Sequence, residues 1–535
     1  MIAINNPDRT PDENEAFRLL AELNPEVISA GQGSHDTIGT PLCDPIEAAS
    51  TGRPYSMTDL GNAERLVHWF GDRIHWDMSR GCWRVWSGTR WQADNEITLL
   101  EFAGQSARKI RKEASVCPPP KEGQVDVGAM LWKHAKASES RDRLSACVAV
   151  AKSLRGVALS ANEWDKNPMV LNVSNGTIDL ATGKLLLHNR EALITRLAPI
   201  TYNPHAKSPR WEMFLSDSCG GDPELIKYLQ KVAGYCLTGS TTEECLFFVY
   251  GVAASGKTTF LETLKSMAGE YSETIDAEML CKDKYSDSAK ASPEVARLDG
   301  ARLAAGSEIE AGRELSTAKL KSITGGEKII ARFMRSNPFE FTPQFKILLA
   351  MNDCPKAPSE DGGLWRRMRR IEFSHEVPKE QRDKTLKPYL QKEGAAAVLA
   401  WAVRGCLLWQ EEGLEPPEAV EASTAQYKED SDPLNTWAED CLNISAGAWA
   451  TNSEIMESYA DYCTENGITY RVGAKTIARK LIALGCSKGK KHDGRGWTGV
   501  EIGAGDDTPE AKQQEFETIN IYDTAVLDYG EIPEA

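Results

Sequence analysis

The apolar and polar positions of the chain change period several times, and each change marks an element. Residues 245–250 (Cys-Leu-Phe-Phe-Val-Tyr) are a continuous apolar run of strand length and read as a buried strand. Residues 259–267 follow with helical spacing. Two further apolar runs read as buried strands, one from 301 ending in Glu308 and Glu310, the other over 345–352 ending in Asn352. A helical stretch at 209–240 precedes them, a short strand ends at 373, and helices are predicted over 391–412 and 417–427. Near the end, 452–466 and 475–484 read as helices and 488–499 as a basic hairpin. Toward the start, 82–91 reads as a hairpin about Ser-Gly-Thr, 115–125 as a loop, and 171–184 as two short strands about Asn-Gly and Thr-Gly turns. The polar, turn-rich first stretch holds one short helix near 13–23.

These breaks give a leader (1–55), a first domain (56–205), a central domain (206–380), a helical extension (381–433), a compact unit (434–502) and a tail (503–535). Composition supports a soluble globular chain, 41% hydrophobic and 26% charged. The opening residues have neither a basic nor an apolar signal region, so a cytoplasmic location is expected. The most apolar run, 395–409, is interrupted by Arg404 and is too short to span a membrane. The 13 cysteines include no C-x-x-C pair, which argues against a zinc ribbon or a disulfide scaffold. Net charge is −16, but residues 501–535 hold ten acids and one base, so the tail supplies −9 of it. The whole-chain charge therefore does not exclude a nucleic-acid surface elsewhere.

Candidate chemistry centres on Gly251-Val252-Ala253-Ala254-Ser255-Gly256-Lys257-Thr258, followed by Thr259. It matches the phosphate-binding loop G-x-x-x-x-G-K-[ST], and a strand before it and a helix after it are the context that chemistry needs. Glycines let backbone N–H groups curl round phosphate oxygens, and the helix N-terminus adds partial positive charge. Lys257 reaches the β- and γ-phosphates, and the Thr258 hydroxyl ligates Mg²⁺. A nucleoside triphosphate with Mg²⁺ is the expected ligand.

Three later segments refine this. Glu308, or second Glu310, suits the carboxylate that holds Mg²⁺ and polarises water. Asn352 suits a contact to the γ-phosphate or attacking water, or else a turn before Cys354-Pro355. Arg366, Arg367, Arg369 and Arg370 crowd five positions, and one could serve a neighbouring subunit as an arginine finger; a basic turn is the plainer alternative. Residues 319–335 carry five bases, one acid and a Gly-Gly turn, and a hairpin presenting Lys328, Arg332 and Arg335 could track a phosphate backbone. Trp69, Trp76, Trp83, Trp86 and Trp91 interleave with arginines and could stack bases, but a packed aromatic core is the favoured reading.

Taken in order, the segments GVAASGKTT, SEIEAG, LKSITGGEKIIARFMRSNPFEF, FKILLAMNDCP and GLWRRMRRIEF resemble superfamily 3 helicases, in the poxvirus and phage primase-helicase branch. The resemblance is strongest over 245–375. It extends through TDLGNAERLV, WRVWSGTRW and LNVSNGTIDLATGKL upstream, and through AWAVRGCLLWQEEGL and AVEASTAQYKEDSDPLNTW downstream. It implies an α/β fold, with an AAA+-like P-loop ATPase core, an N-terminal α+β domain and a C-terminal winged-helix domain. It also implies a homo-hexameric ring binding ATP and Mg²⁺ between subunits and translocating 3′ to 5′ on single-stranded or forked DNA. Lys257 and Thr258 map to Walker A, Glu308 to Walker B and Asn352 to sensor 1. Arg366 or Arg367 maps to the finger, and Lys328, Arg332 and Arg335 to the pore hairpin. The helix-helix-hairpin order after residue 452 is winged-helix grammar, with Lys488, Lys490, Lys491 and Arg495 on phosphates, at an origin for instance.

A primase active site is not expected in this chain. About 55 residues precede the first domain, zinc-ribbon cysteines are absent, and the D-x-D motif, Asp430-Ser-Asp432, falls in an expected linker. A separate primase, origin DNA and a single-strand-binding protein are the partners this implies. An origin-binding loader and a duplex translocase are the competing readings.

Overall fold

The computed structural model describes residues 44–282, 293–307, 309, 313–334, 338–358, 361–466, 468, 471–492 and 494–503. The described residues form two compact units of mixed α/β structure. The first runs to Pro355 and resumes over Gly363–Thr424; the second holds Lys356–Gly362 and the residues from Ala425 onward.

The first unit opens with a four-stranded sheet, β1 (Ile74–Asp77), β2 (Cys82–Trp86), β3 (Trp91–Asp94) and β4 (Ala158–Leu159), in the order β3-β2-β1-β4. Residues of β2 alternate, so Trp83 and Val85 point into the core while Arg84 and Trp86 are only half-buried. Helices Asp59–Phe70, Ile97–Val116 and Arg141–Ala151 contribute Leu66, Phe70, Phe102 and Val148 to the same core. Trp83 and Trp91 are 1% exposed, so these indoles are core and not a base-stacking platform. The helices between 97 and 151 are absent from the sequence reading. Their apolar stripes are diluted by buried polar groups such as Glu113, whose carboxylate meets the guanidinium of Arg65 on helix Asp59–Phe70 at 2.8 Å with both side chains fully buried. Strands β5 (Val170–Val173), β6 (Gly176–Asp179) and β7 (Lys184–Leu186) make a meander of three strands where two were expected.

Next come helices Pro209–Ser218 and Pro223–Leu237, each opened by a proline and N-capped, by Ser208 and Asp222. They lead into β8 (Leu246–Gly251), β9 (Ser272–Thr274) and β10 (Leu303–Ser307). An antiparallel hairpin, β11 (Ile329–Ala331) with β12 (Phe339–Phe341), separates β10 from β13 (Lys346–Met351), and β14 (Met368–Phe373) follows. Residues Thr317–Thr324 form a helix, so only the later part of the expected basic hairpin is hairpin. The five remaining strands are parallel, in the order β14-β8-β13-β10-β9. Strands β8 and β13 are central and buried on both faces, which explains their unbroken apolar runs. Helix Ala395–Glu412 is buried along most of its length and packs on Pro223–Leu237, where Gly405 and Gly234 allow close approach. Among the described residues no helix is long and apolar enough to cross a membrane.

The second unit contains helix Pro433–Cys441, β15 (Leu442–Thr451), helices Asn452–Glu465 and Ala474–Ala483, then β16 (Ser487–Lys491) and β17 (Gly494–Ile502). The sheet is antiparallel in the order β15-β17-β16. Strand β15 escaped the sequence reading because its centre, Ser445-Ala-Gly-Ala448, has no alternation; the pairing is irregular there, between Ile444 and Trp449. Asp432 of the D-x-D motif is spent as an N-cap, its carboxylate accepting from Leu434 N–H at 3.0 Å.

Candidate nucleotide and nucleic-acid sites

Parallel register brings the C-terminal ends of three strands to one edge of the sheet. Met351 lies opposite Tyr250, and Ser307 opposite Ala350. In open parallel sheets this edge is where ligands bind. The loop after β8 runs directly into helix Lys257–Ala268. Gly251 and Gly256 both have positive φ, +148° and +94°. A Cβ on Gly251 would stand 2.1 Å from the Phe373 carbonyl oxygen of β14, and one on Gly256 would stand 2.7 Å from Ser218 Oγ and 2.8 Å from the Phe214 ring. The loop is therefore held on one side by β14 and on the other by helix Pro209–Ser218. That upstream helix carries no local signal for this role.

Helix Lys257–Ala268 has no side-chain cap at its N-terminus. Its first-turn N–H groups face a cleft of 670 Å³, together with the partial charge of the helix end. Lys257 is buried, and its Nζ donates to the Gly251 and Val252 carbonyls, both at 2.6 Å. The ammonium thus sits over the loop, poised between carbonyls and any phosphate. Thr258, Ser307 and Asn352 line the same cleft. An uncapped helix end, a loop turned at both ends by glycines of positive φ, a buried ammonium and a threonine hydroxyl fit a triphosphate with Mg²⁺. Glu308 directly follows Ser307 but lies, with Glu310, outside the described residues. Val377 N–H donates to the Ala254 carbonyl at 3.3 Å and tethers the loop to the segment after β14.

The arginine cluster lies elsewhere. Leu246 N–H, at the start of β8, donates to the Arg367 carbonyl. Arg366 and Arg367 therefore mark the opposite edge of the sheet, roughly 20 Å from the loop by the rise of a strand. Arg367 is internally committed, donating to Thr324 Oγ1 (3.1 Å), Gly363 O (3.0 Å) and Glu244 Oε2 (2.6 Å), and its side chain is 8% exposed. Arg370 lies over the Tyr250 ring at 3.9 Å, and Arg369 donates to the Arg366 and Met368 carbonyls. Arg366 is 65% exposed, with a 3.2 Å bond to Glu244. Three of the four arginines are thus structural in large part.

Hairpin β11–β12 presents Lys328, exposed and 3.7 Å from the Glu340 carboxylate, and Arg332; Arg335 lies outside the described residues. In the second unit Lys488, Lys490 and Arg495 line a 920 Å³ groove with Lys475 and Arg479 of helix Ala474–Ala483. Lys488 leans on the Trp497 ring at 5.4 Å and Lys491 on Trp449 at 5.0 Å. Lys475 and Arg479 were not singled out in the sequence. Their i, i+4 spacing, opposite the buried Ile477 and Leu481, is the signal that marks them.

Residues 63–220 match the family described as D5 N terminal like, and 249–370 match a family of unknown function, DUF5906. A provisionally named helicase of Acanthamoeba polyphaga mimivirus is 31% identical over 240 residues, 41% of this chain and 25% of that protein. A provisionally named helicase of the Sputnik virophage is 27% identical over 157 residues, 29% of this chain and 20% of that protein. The chain thus spans a quarter or less of these relatives. Two apo structures of the NrS-1 C-terminal region are similar at TM-scores of 0.41 and 0.43, with 12% and 11% identity. They cover 80% and 83% of this chain, and 96% and 99% of their own. Over part of its length the chain is therefore similar to the D5 N terminal like family and to viral proteins provisionally named helicases.

Proposed function

We propose that the chain is an ATP-hydrolysing DNA helicase of superfamily 3 that unwinds replicating DNA as a homo-hexameric ring and has no primase active site of its own. The observation that carries this reading is the cleft at the C-terminal sheet edge, where Lys257, Thr258, Ser307 and Asn352 converge beside an uncapped helix. The strand order β14-β8-β13-β10-β9, with β8 between β14 and β13, supports an AAA+-like core. The hairpin inserted between β10 and β13 supports a DNA-engaging element, and the helix-strand-helix-helix-strand-strand order of the second unit supports a winged helix.

Within this reading the first-turn N–H groups and Lys257 hold the β- and γ-phosphates, and the Thr258 hydroxyl and Glu308 hold Mg²⁺. ATP supplies the phosphoryl group whose transfer to water drives the ring. Glu308 or Glu310 takes the proton of the attacking water, and Asn352 orients that water by hydrogen bonding. Arg366, remote from its own loop and exposed, reaches the γ-phosphate of a neighbouring copy. Lys328, Arg332 and Arg335 follow the backbone of a single strand, and the basic groove with Lys488, Lys490 and Arg495, joined by Lys491 on the same strand, binds duplex or origin DNA. The test is ATP turnover with and without single-stranded DNA. Wild type should be stimulated and Lys257→Ala silent in both. Turnover unaffected by Lys257→Ala would overturn the reading.

A further inference from the structure

One N-terminal side chain reaches the hairpin. The β1–β2 turn is set by Asp77, whose Oδ1 accepts from Ser79 N–H (3.0 Å) and Arg80 N–H (3.1 Å) while Oδ2 accepts from Arg84 (2.7 Å). This directs Arg80 away from its own sheet. Its guanidinium donates to Asp299 Oδ2 at 2.6 Å, just before β10. It also lies 5.4 Å from the Phe333 ring and 5.7 Å from the Phe339 ring, two rings that stack at 5.6 Å across the hairpin. Phe333 directly follows Arg332, and Phe339 pairs with Ala331 in the hairpin register. A planar cation shared by a carboxylate and two stacked rings resists displacement in several directions at once. Other arginines hold the same two domains together without touching the hairpin, Arg90 on Glu270 and Arg196 on the Asp299 carbonyl.

We infer that Arg80 is a positioning residue that fixes the β11–β12 hairpin against the N-terminal domain and so sets the placement of Arg332 on the DNA strand. The DNA half of this inference rests on the helicase reading; the anchoring half does not. In this scheme the N-terminal domain is a fixed bracket, and the hairpin works from a seat defined by Arg80.

The experiment uses the full chain as wild type, Arg80→Ala, Arg80→Lys and Arg90→Ala. Amide hydrogen exchange is read at Ile330, Arg332, Phe339 and Phe341, and base pairs separated per ATP are read on a tailed fork. Loss of two cation–π contacts and one ion pair should speed hairpin exchange roughly tenfold in Arg80→Ala. Arg80→Lys, which keeps the charge but loses the planar fork, should fall between. Arg90→Ala, which loses a domain contact alone, should leave hairpin exchange at the wild-type rate. ATP turnover without DNA should stay within about twofold for Arg80→Ala, while separation per ATP falls by about threefold or more, the mark of a positioning role. Unchanged exchange in Arg80→Ala, or an equal rise in Arg90→Ala, overturns the anchor. Faster exchange with undiminished separation per ATP overturns the coupling. Faster exchange in a protein whose wild type separates no strands upholds the anchor and overturns the helicase reading instead.

Discussion

Arg366 and Arg367 are adjacent, equally charged and near the same carboxylate, yet they should fail in opposite ways. Arg367→Ala removes three hydrogen bonds from a side chain 8% exposed, including the 2.6 Å pair with Glu244. A charge-assisted bond is worth about 1.5–3 kcal/mol, and leaving Thr324 Oγ1 and the Gly363 carbonyl without this donor adds to the loss. Because Glu244 is 41% exposed, water recovers part of its share, and we set the total near 3 kcal/mol. At roughly 2–4 °C per kcal/mol for a large domain, the unfolding midpoint should drop by about 6–12 °C. Arg366, 65% exposed with a single 3.2 Å bond, should change stability by less than about 0.5 kcal/mol when replaced by Ala. Its loss should instead cut ATP turnover by roughly 10³, the usual worth of a finger, and mixing with Lys257→Ala protomers should restore part of the activity by completing sites in trans. Thermal melts and steady-state turnover on purified variants decide the matter. The reasoning is refuted if Arg367→Ala melts like wild type, or if Arg366→Ala keeps full turnover.

Other outcomes follow from the same geometry. Gly256→Ala places a Cβ 2.8 Å from the Phe214 ring at a φ of +94°, so fluorescent-nucleotide titration should show affinity weaker by roughly thirtyfold or more; unchanged affinity would remove the loop from the nucleotide site. Lys346 is wholly buried, with Nζ bonded to the carbonyls of Thr238, Ser240 and Gln344, and burial pushes its ammonium down to about 7. The unfolded chain holds that proton up to about 10.4, so between pH 7 and 10.4 the unfolded state binds more protons and this group's contribution to stability rises with pH. Melts of Lys346→Met should lack that part of the rise between pH 7 and 9; parallel wild-type and variant curves would contradict it. Lys490→Ala and Arg495→Ala should each lower the slope of log affinity against log salt for duplex DNA by roughly 1, read by anisotropy. Slopes equal to wild type would take the groove out of DNA binding.

Strands β8, β10 and β13 were legible because buried parallel strands leave unbroken apolar runs, and the loop between 251 and 258 because its glycines answer a backbone requirement. Long-range packing was not legible. Nothing near Phe214 or Ser218 marks them as the wall behind Gly256, and nothing near Arg80 marks a contact some 250 residues away at Phe333 and Phe339. The arginine run did not show in sequence which of its members is free to act. Arg367, in the turn before β14, and Arg370, on the strand, are buried and spent on packing, while Arg366 stays outside. Tryptophan density toward the N-terminus was ambiguous for a related reason, since an indole suits a core as well as a base, and Trp83 and Trp91 went to the core.

The most direct test of the central proposal is strand displacement on a fork with a 3′ single-stranded tail, with ATP and Mg²⁺, comparing wild type with Lys257→Ala. The account predicts that wild type releases the displaced strand and Lys257→Ala does not, while both still bind the fork. ATP turnover stimulated by single-stranded DNA without any strand release would contradict it, and would make the chain a translocase or loader.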